Sequence, residues 1–533
     1  MKRLFTTMLL CCMATILAAQ TTIINKQVKD FPDVYDLSTP LNAGITIYHL
    51  FTINGDATLW RSTSSYMNPT SHEKGKVHNR IIEEDVKMQR LNDTIKEMIV
   101  YKDSIARLII KINNSNRYSI WDLVFEDGKW LYLHDNGGGW ALENWREHFH
   151  TYAPDWLNQL RRSLEVRTVS TDTLAFVNYV KQHGAEPKDF LLEALANHPL
   201  VIYGEIHRRK ISWDLLSSVL SDPRFPEIVG TIFVEMPAYQ QEEFDRFYAS
   251  KEMDVEILLD IMRSVQTTGW VDKGEYEFLI NLWKLNQMLP ADKKIKVVPT
   301  DEQLPWKFIK TQEDFEKYDE SLIDRNTRMA DVIEHTMKTK TDKRNSLFIT
   351  GYMHAHKSHV PGGYSSAEGQ EPALTAGAQL VQRFSDKDVF TILQHVPWMT
   401  NTRGAFGLVR QGLFDYIFEI NEGKPIAFYL DGSPFGAEPF DADFDMSFDN
   451  KAGNYADNFD GYIFLQPLRD EDADYMFYDI WSDKFIDEVK RRLTFINRDI
   501  NRWFGIEGEV TKEKIIETYK EYEGKKRWSY LFE

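Results

Sequence analysis

The chain of 533 residues holds two cysteines, Cys11 and Cys12, and both lie inside the apolar run at its start. Beyond them it can form no disulfide, use no thiol nucleophile and build no zinc–thiolate site. Any bound metal must therefore rest on histidine and carboxylate ligands. Basic charge is in deficit, 63 Lys and Arg against 81 Asp and Glu, for a net charge of -18. That balance excludes a general nucleic-acid or anionic-membrane surface, because such partners reward basic patches. After the first 20 residues no stretch reaches the roughly 18 consecutive apolar residues that a membrane-spanning helix needs. Neither a GxSxG elbow nor an HExxH helix occurs, so a serine nucleophile on such an elbow and the common metalloprotease arrangement are not indicated.

What is present begins with MKRLFTTMLLCCMATILAAQ, in which Lys2 and Arg3 precede an apolar run that ends in small residues. This is the pattern of an export signal, with cleavage expected near Ala19. Cys11 and Cys12 lie within the run rather than at its end, which favours a soluble secreted or periplasmic protein over a lipid-anchored one. A composition of 43% hydrophobic and 13% aromatic residues is ample for large cores.

Residues 20–167 read as a small antiparallel β-rich domain. Its expected strands begin in GITIYHLFTINGDATLW, where Asn54-Gly55 is a tight-turn signal, and continue through EMIVY, ARLIIKI and YSIWDLVFEDGKWLYLHD, with Asp127-Gly128 marking a second hairpin. Residues 71–92 are charged and read as a loop or exposed helix, and 142–164 read as a closing helix interrupted by Pro154. The polar TVSTDT, residues 168–173, is the expected connection. Residues 168–470 alternate short apolar strands with helical segments: PLVIYGE, EIVGTIFVEMP, KIKVVPTD, SLFITGYMH, DVFTILQHV and DGYIFLQP are the strands. That alternation predicts an α/β core, a mostly parallel sheet flanked by helices. Residues 471–533 read as a polar, amphipathic helical extension capping that core.

In open parallel sheets the ligand site lies beyond the carboxyl ends of the strands. The expected strand ends present Glu205 and His207, Glu235, Asp301, His354 and His356, and His395. Glu205 with His207, and His354 with His356, stand two apart, so in extended backbone each pair leaves on one side. Each group alone is explained as a cap or turn residue; five polar ends together predict a shared site. On the helix in SLIDRNTRMADVIEHTM, Arg325 falls within the stripe of Leu322, Met329, Val332, Ile333 and Thr336, while Arg328 lies toward its edge. A buried arginine needs a partner, either a structural carboxylate or a substrate oxyanion. Trp270, Trp306, Tyr364 and Trp398 lie near the strand ends, where they pack in the core or line a pocket. The run DADFDMSFDN has the aspartate spacing of a calcium loop, but Met446 replaces the required glycine and Ala452 the closing glutamate.

Several of these stretches, in order, carry a resemblance. GEIH, FVEMP, the run EYEFLINLWKLNQMLPADKKIKVVPTD, RNTRMADVI, GYMHAHK and LTAGAQLVQRF resemble the successive motifs of the superfamily that joins erythromycin esterases with ChaN-like haem-binding and TIKI-like proteins. The resemblance covers residues 197–467 and implies site roles for Glu205, His207, Glu235, Asp301, Arg325, His354 and His356. Two departures put a macrolide substrate in doubt: GEIH has the shorter ChaN-like spacing, and Val332 stands where the esterase pattern usually has asparagine.

The chemistry these residues predict is hydrolysis of an ester, amide or peptide bond in a small-molecule or peptide substrate, with histidine or glutamate as base and arginine or a second histidine facing the oxyanion. His207, held by Glu235, is the expected base, and His354 the group that orients water or polarises the carbonyl. Glu205, His207, Glu235 and His354 could instead hold a divalent metal. The rivals are a ChaN-like protein that binds haem or a small ligand without catalysis, and a degenerate site serving as an interaction module.

Overall fold

The computed structural model describes residues 20–54, 84–101, 105–115, 117–135, 140–141, 173–357, 374–399, 406–440, 453–472, 476–520, 524–528 and 531. The expected leader, the helical stretch 142–164, residues 168–172 of the connection, the aspartate-rich run 441–450 and Tyr364 lie outside them, as does the side chain of Trp398. The chain divides into two compact units, Met1–His150 and Thr151–Glu533.

The first unit is built on one antiparallel sheet. Strands β1 (Gln20–Gln27), β2 (Thr94–Tyr101), β3 (Ile105–Lys111), β4 (Arg117–Glu126) and β5 (Lys129–Asp135) follow one another across it, with β6 (Trp140–Ala141) beside β4. The predicted Asp127-Gly128 hairpin is there: Glu126 pairs with Lys129, and the turn residues take φ of 50° and 79°. Both positive values suit an Asp-Gly turn, because its backbone twist matches that of the strands.

GITIYHLF, expected as a strand, is instead the helix Pro40–Tyr48 running into a π-helical turn, His49–Ile53. Thr39 caps it by accepting the Asn42 N–H, and Pro40 occupies the first position, where no N–H is needed. Ala43, Ile45, Ile47 and Tyr48 are all buried, in one cluster with Met98, Leu108, Trp121 and Leu123. A short apolar run buried this fully carries neither a clean helical nor a clean strand period. Asn54 ends that turn rather than opening a hairpin, and Gly55 lies outside the described residues. Glu84–Leu91 is an exposed helix with no buried residue.

In the second unit the sheet order is β14-β15-β11-β7-β10-β8-β9. Here β7 is Leu200–Glu205, β8 Val229–Pro237, β9 Lys296–Asp301, β10 Asn345–Gly351, β11 Val389–Gln394, β14 Ile426–Tyr429 and β15 Gly461–Phe464. A small separate ladder joins β12 (Trp398–Met399) and β13 (Phe406–Gly407). All neighbours in the large sheet are parallel except β14 on β15, so the predicted mostly parallel sheet flanked by helices is the observed core. Helices cover both faces, which is why β7 and β11 are buried at every residue and read as unbroken apolar runs. The edge strand β14 and the helix Leu413–Ile420 were not expected. Between β8 and β9 stand three helices, Gln241–Ala249, Val255–Ser264 and Lys273–Met288. After residue 471, the helix Asp483–Phe495 sends Phe485, Ile486, Val489 and Leu493 into the same core cluster as β7 and β8.

The order matters for function because β7, β10, β8 and β9 are consecutive neighbours, so four of the five predicted polar ends emerge side by side. Gly204 in β7 allows the short helix Tyr352–Ala355 to lie against the strand: a Cβ there would stand 3.0 Å from the Ala355 Cβ and 3.2 Å from the Tyr352 Cα.

Candidate active site

β7 stops at Glu205 and the chain turns through His207 and Arg208, the latter in the left-handed region at φ 61°. A non-glycine residue there is held by its surroundings, and part of the hold is the Arg208 N–H donated to the Asp272 carboxylate at 2.7 Å. The turn brings His207 Nδ1 to 2.5 Å from Glu205 Oε1. Because the carboxylate accepts, Nδ1 carries the proton. The other Glu205 oxygen is buried without a partner among the described residues. The Trp270 ring packs edge-on against the imidazole, 4.8 Å between centroids, and its N–H goes to Glu275 at 2.7 Å.

Glu235, near the end of β8, is the hub. Its Oε1 accepts from Arg325 Nη2 at 2.8 Å, and its Oε2 accepts from the Thr350 hydroxyl at 2.8 Å and the Gly351 N–H at 2.7 Å. Arg325, first residue of the helix Arg325–Thr339, also grips Asp301 at the end of β9 through Nε and Nη2, both at 2.7 Å. Fork-to-carboxylate geometry of this kind fixes orientation as well as charge. Gly351 leaves the room in which these groups meet: a Cβ there would lie 3.2 Å from His207 Nε2 and 3.4 Å from Glu235 Oε2.

His354 approaches the same carboxylate, its Nε2 3.5 Å from Glu235 Oε1. Its Nδ1 lies 2.7 Å from Asn326 Oδ1, which also accepts the Ala376 N–H at 3.0 Å. An amide oxygen that already accepts a backbone N–H identifies itself as the acceptor, so His354 Nδ1 is the donor and Nε2 holds the lone pair.

The two histidines are driven in opposite directions. Burial alone would push His207 down, but the field and hydrogen bond of Glu205, together with Glu235 and Asp272, raise it to about 9. Burial pushes His354 down, and Glu235 does not fully offset it because Arg325 works against protonation. Glu235 is held well below the usual carboxylate range: burial opposes this, but His354, His207, Arg325 and the Gly351 N–H together outweigh it. Burial raises Asp272 and Glu275, as does the neighbouring Glu205 charge. At neutral pH the site therefore holds a cationic His207, a neutral His354 and an anionic Glu235.

Six predicted residues thus meet in one network: Glu205, His207, Glu235, Asp301, Arg325 and His354. The hydrogen-bond partner of His207 is Glu205 rather than the expected Glu235. His356 is not part of the network. β10 ends at Gly351 and the chain becomes helical, where a two-residue step rotates a side chain by about 200° rather than returning it to the same face. His356 is 1% exposed and packs near Phe440 and Phe459. His395 is also buried elsewhere, between the Tyr462 hydroxyl and Asp415. Trp306 is a core residue and Arg328 pairs with Glu302. Asn326, Thr350 and Asp272 were missed. Asn326 adjoins Arg325 in RNTRM, but nothing in a lone asparagine marks the backbone it will meet.

Among the described residues no group of three His, Cys, Asp or Glu is arranged to hold a metal ion. Glu235 spends both oxygens on Arg325, Thr350 and Gly351, and Glu205 spends its outer oxygen on His207, so the four expected ligands do not fit a metal. Haem fits no better, since His354 has Nδ1 engaged and Nε2 facing a carboxylate, in charged rather than apolar surroundings.

No protein-family model matches the chain, and no curated protein matches it significantly. Among solved structures it is similar to a Bacillus cereus protein, with 11% identity over 56% of this chain and 98% of that one at a TM-score of 0.35. It is also similar to erythromycin esterase EreC, with 13% identity over 52% and 92% at 0.34, and to haem-binding ChaN of Campylobacter jejuni, with 14% over 40% and 87% at 0.27.

Proposed function

We propose that this chain is a hydrolase that cleaves an ester, amide or peptide bond by acid–base chemistry at Glu235, His354 and His207. The observation that carries the reading is the convergence of His354 and Arg325 on the Glu235 carboxylate, at 3.5 and 2.8 Å, with the Glu205-bound His207 beside them. The 3.5 Å between His354 Nε2 and Glu235 Oε1 is too long for a good hydrogen bond, so Nε2 can accept from a water beside the carboxylate. His354 Nε2 takes a proton from that water as its oxygen bonds to the carbonyl carbon. Charge then develops on the carbonyl oxygen, which the cationic His207 and Arg325 are suited to stabilise. As the bond to the leaving group breaks, His207 Nε2 donates its proton to it; the proton on His354 then passes to solvent and His207 regains one from it, so both rings return to their starting states. The export pattern of residues 1–19 supports an enzyme working outside the cytoplasm on a small-molecule or peptide substrate.

A panel of esters, amides and peptides assayed with the protein and with His207→Ala, Glu235→Ala and His354→Ala tests the reading. Turnover lowered by about 10²–10⁴ in each variant is expected. An inactive panel together with a tight haem complex whose absorption shift is lost in His354→Ala would overturn it.

A further inference from the structure

The turn that carries His207 is framed by a segment more than 300 residues away in sequence. Arg527 donates from Nη2 to the His207 carbonyl at 3.1 Å and from Nη1 to the Arg208 carbonyl at 3.0 Å. Its own N–H is bound by the Glu471 carbonyl at 2.8 Å. Lys526 is fixed on the Asp470 carbonyl and the Asp472 carboxylate at 2.8 and 2.7 Å, and the Trp528 N–H on Glu471 Oε2 at 3.1 Å. The buried Glu471 carboxylate in turn grips Arg209, whose Nη1 reaches Gln394 Oε1 at 3.1 Å, and Gln394 Nε2 donates to the Gly204 carbonyl at 3.2 Å. From the other side, Asp272 holds the Arg208 N–H. The strand end before the turn, the residue after it and the backbone of the turn are therefore all tied to one frame, while Arg208 stays left-handed.

We propose that Arg527 is a positioning residue for His207: its guanidinium bridges two consecutive carbonyls and so keeps the His207–Arg208 turn in the conformation that aims the imidazole at Glu205 and Glu235. A planar fork of fixed spacing spans two acceptors in a way that a single ammonium does not. The groups facing His207 are Glu205, Glu235, Asp272, Glu275 and His354, and Arg527 touches only its backbone. It therefore acts through geometry.

This inference rests on the hydrolase reading for its kinetic arm alone. Arg527→Ala is expected to lower kcat about ten- to a hundredfold with KM within about twofold, the signature of a misplaced group rather than lost binding. Added guanidinium ion should restore part of the loss, and Arg527→Lys should lie between. The second arm needs no substrate: at fixed pH, the His207 imidazole resonances should move and broaden in Arg527→Ala and return toward their original positions with guanidinium. If Arg527→Ala does not fold, Arg527→Lys and Arg527→Gln carry both arms. Unmoved His207 resonances in a folded variant overturn the proposal. Should the ester, amide and peptide panel prove inactive and haem bind tightly through His354, the hydrolase reading alone falls, and a guanidinium-reversible change in those resonances still supports the positioning role.

Discussion

Two arginines of this molecule meet carboxylates in nearly the same way and come to opposite ends. Arg107 in β3 stands directly across from Asp122 in β4 and binds it through Nε and Nη2 at 2.8 and 3.2 Å, both side chains 0% exposed. Arg325 uses the same two nitrogens on Asp301, shares one of them with Glu235, and is 42% exposed. The first pair is sealed from solvent between two neighbouring strands. The second keeps a cation open to solvent above two carboxylates and beside two histidines. Neither pair type nor distance separates scaffold from site here; access to solvent and a titratable neighbour do.

The sharpest way to break that comparison is to neutralise the hub. Glu235→Gln keeps the shape but removes the charge that balances Arg325 and His207, and should lower kcat by about 10²–10⁴ while the protein stays folded. A variant that keeps full turnover would make the Arg325 assembly as structural as the Arg107 pair. Arg107→Ala should do the reverse. Removing one partner of a buried ion pair costs about 3–5 kcal/mol, visible as an earlier unfolding transition in denaturant, with turnover of the folded protein unchanged.

A smaller effect follows from pH. His207 is raised from its ordinary value of 6.5 to about 9, so the stabilisation from its charge is complete below 6.5 and is lost as pH rises through about 9. The acid needed by the leaving group disappears over the same range. His354 is depressed below 6.5, so the base is lost only on the acid side of that value. A profile of kcat/KM against pH should therefore be a plateau with its alkaline limb near 9 and its acid limb below 6.5. An alkaline limb near 6.5 that stays put in Glu205→Gln would remove the cationic role of His207. Smallest is Gly351→Ala: φ at this residue is -55°, which alanine accepts, but the new methyl meets His207 and Glu235 at 3.2 and 3.4 Å. Thermal unfolding should barely move, while turnover falls a few-fold, on the order of 1 kcal/mol in the barrier.

Much of this could be read along the chain. PLVIYGE, FVEMP, KVVPTD and SLFITG are strands because fully buried parallel strands need unbroken apolar runs, and the polar groups that end them are conspicuous for that reason. The hairpin at Asp127-Gly128 was equally legible, since its turn chemistry is local. The helix Pro40–Tyr48 was not, because burial on every side erases its period. Asn326 was not, because its role depends on the Ala376 N–H, 50 residues on. Nor could the spacing of His354 and His356 show that a glycine between strand and helix would send them apart.

Apolar runs that end in acids and bases are written into the chain, as is the lack of any cysteine beyond residue 12, of an elbow serine and of an HExxH helix. Which carboxylate holds which histidine, and which histidine is driven toward its charged form, follows from the packing of distant segments. Those choices depend on the neighbour order β7-β10-β8-β9 and on how much water each ring keeps. Both come from contacts between residues far apart in the chain, where a pKa is set by summed fields and burial rather than by adjacent residues.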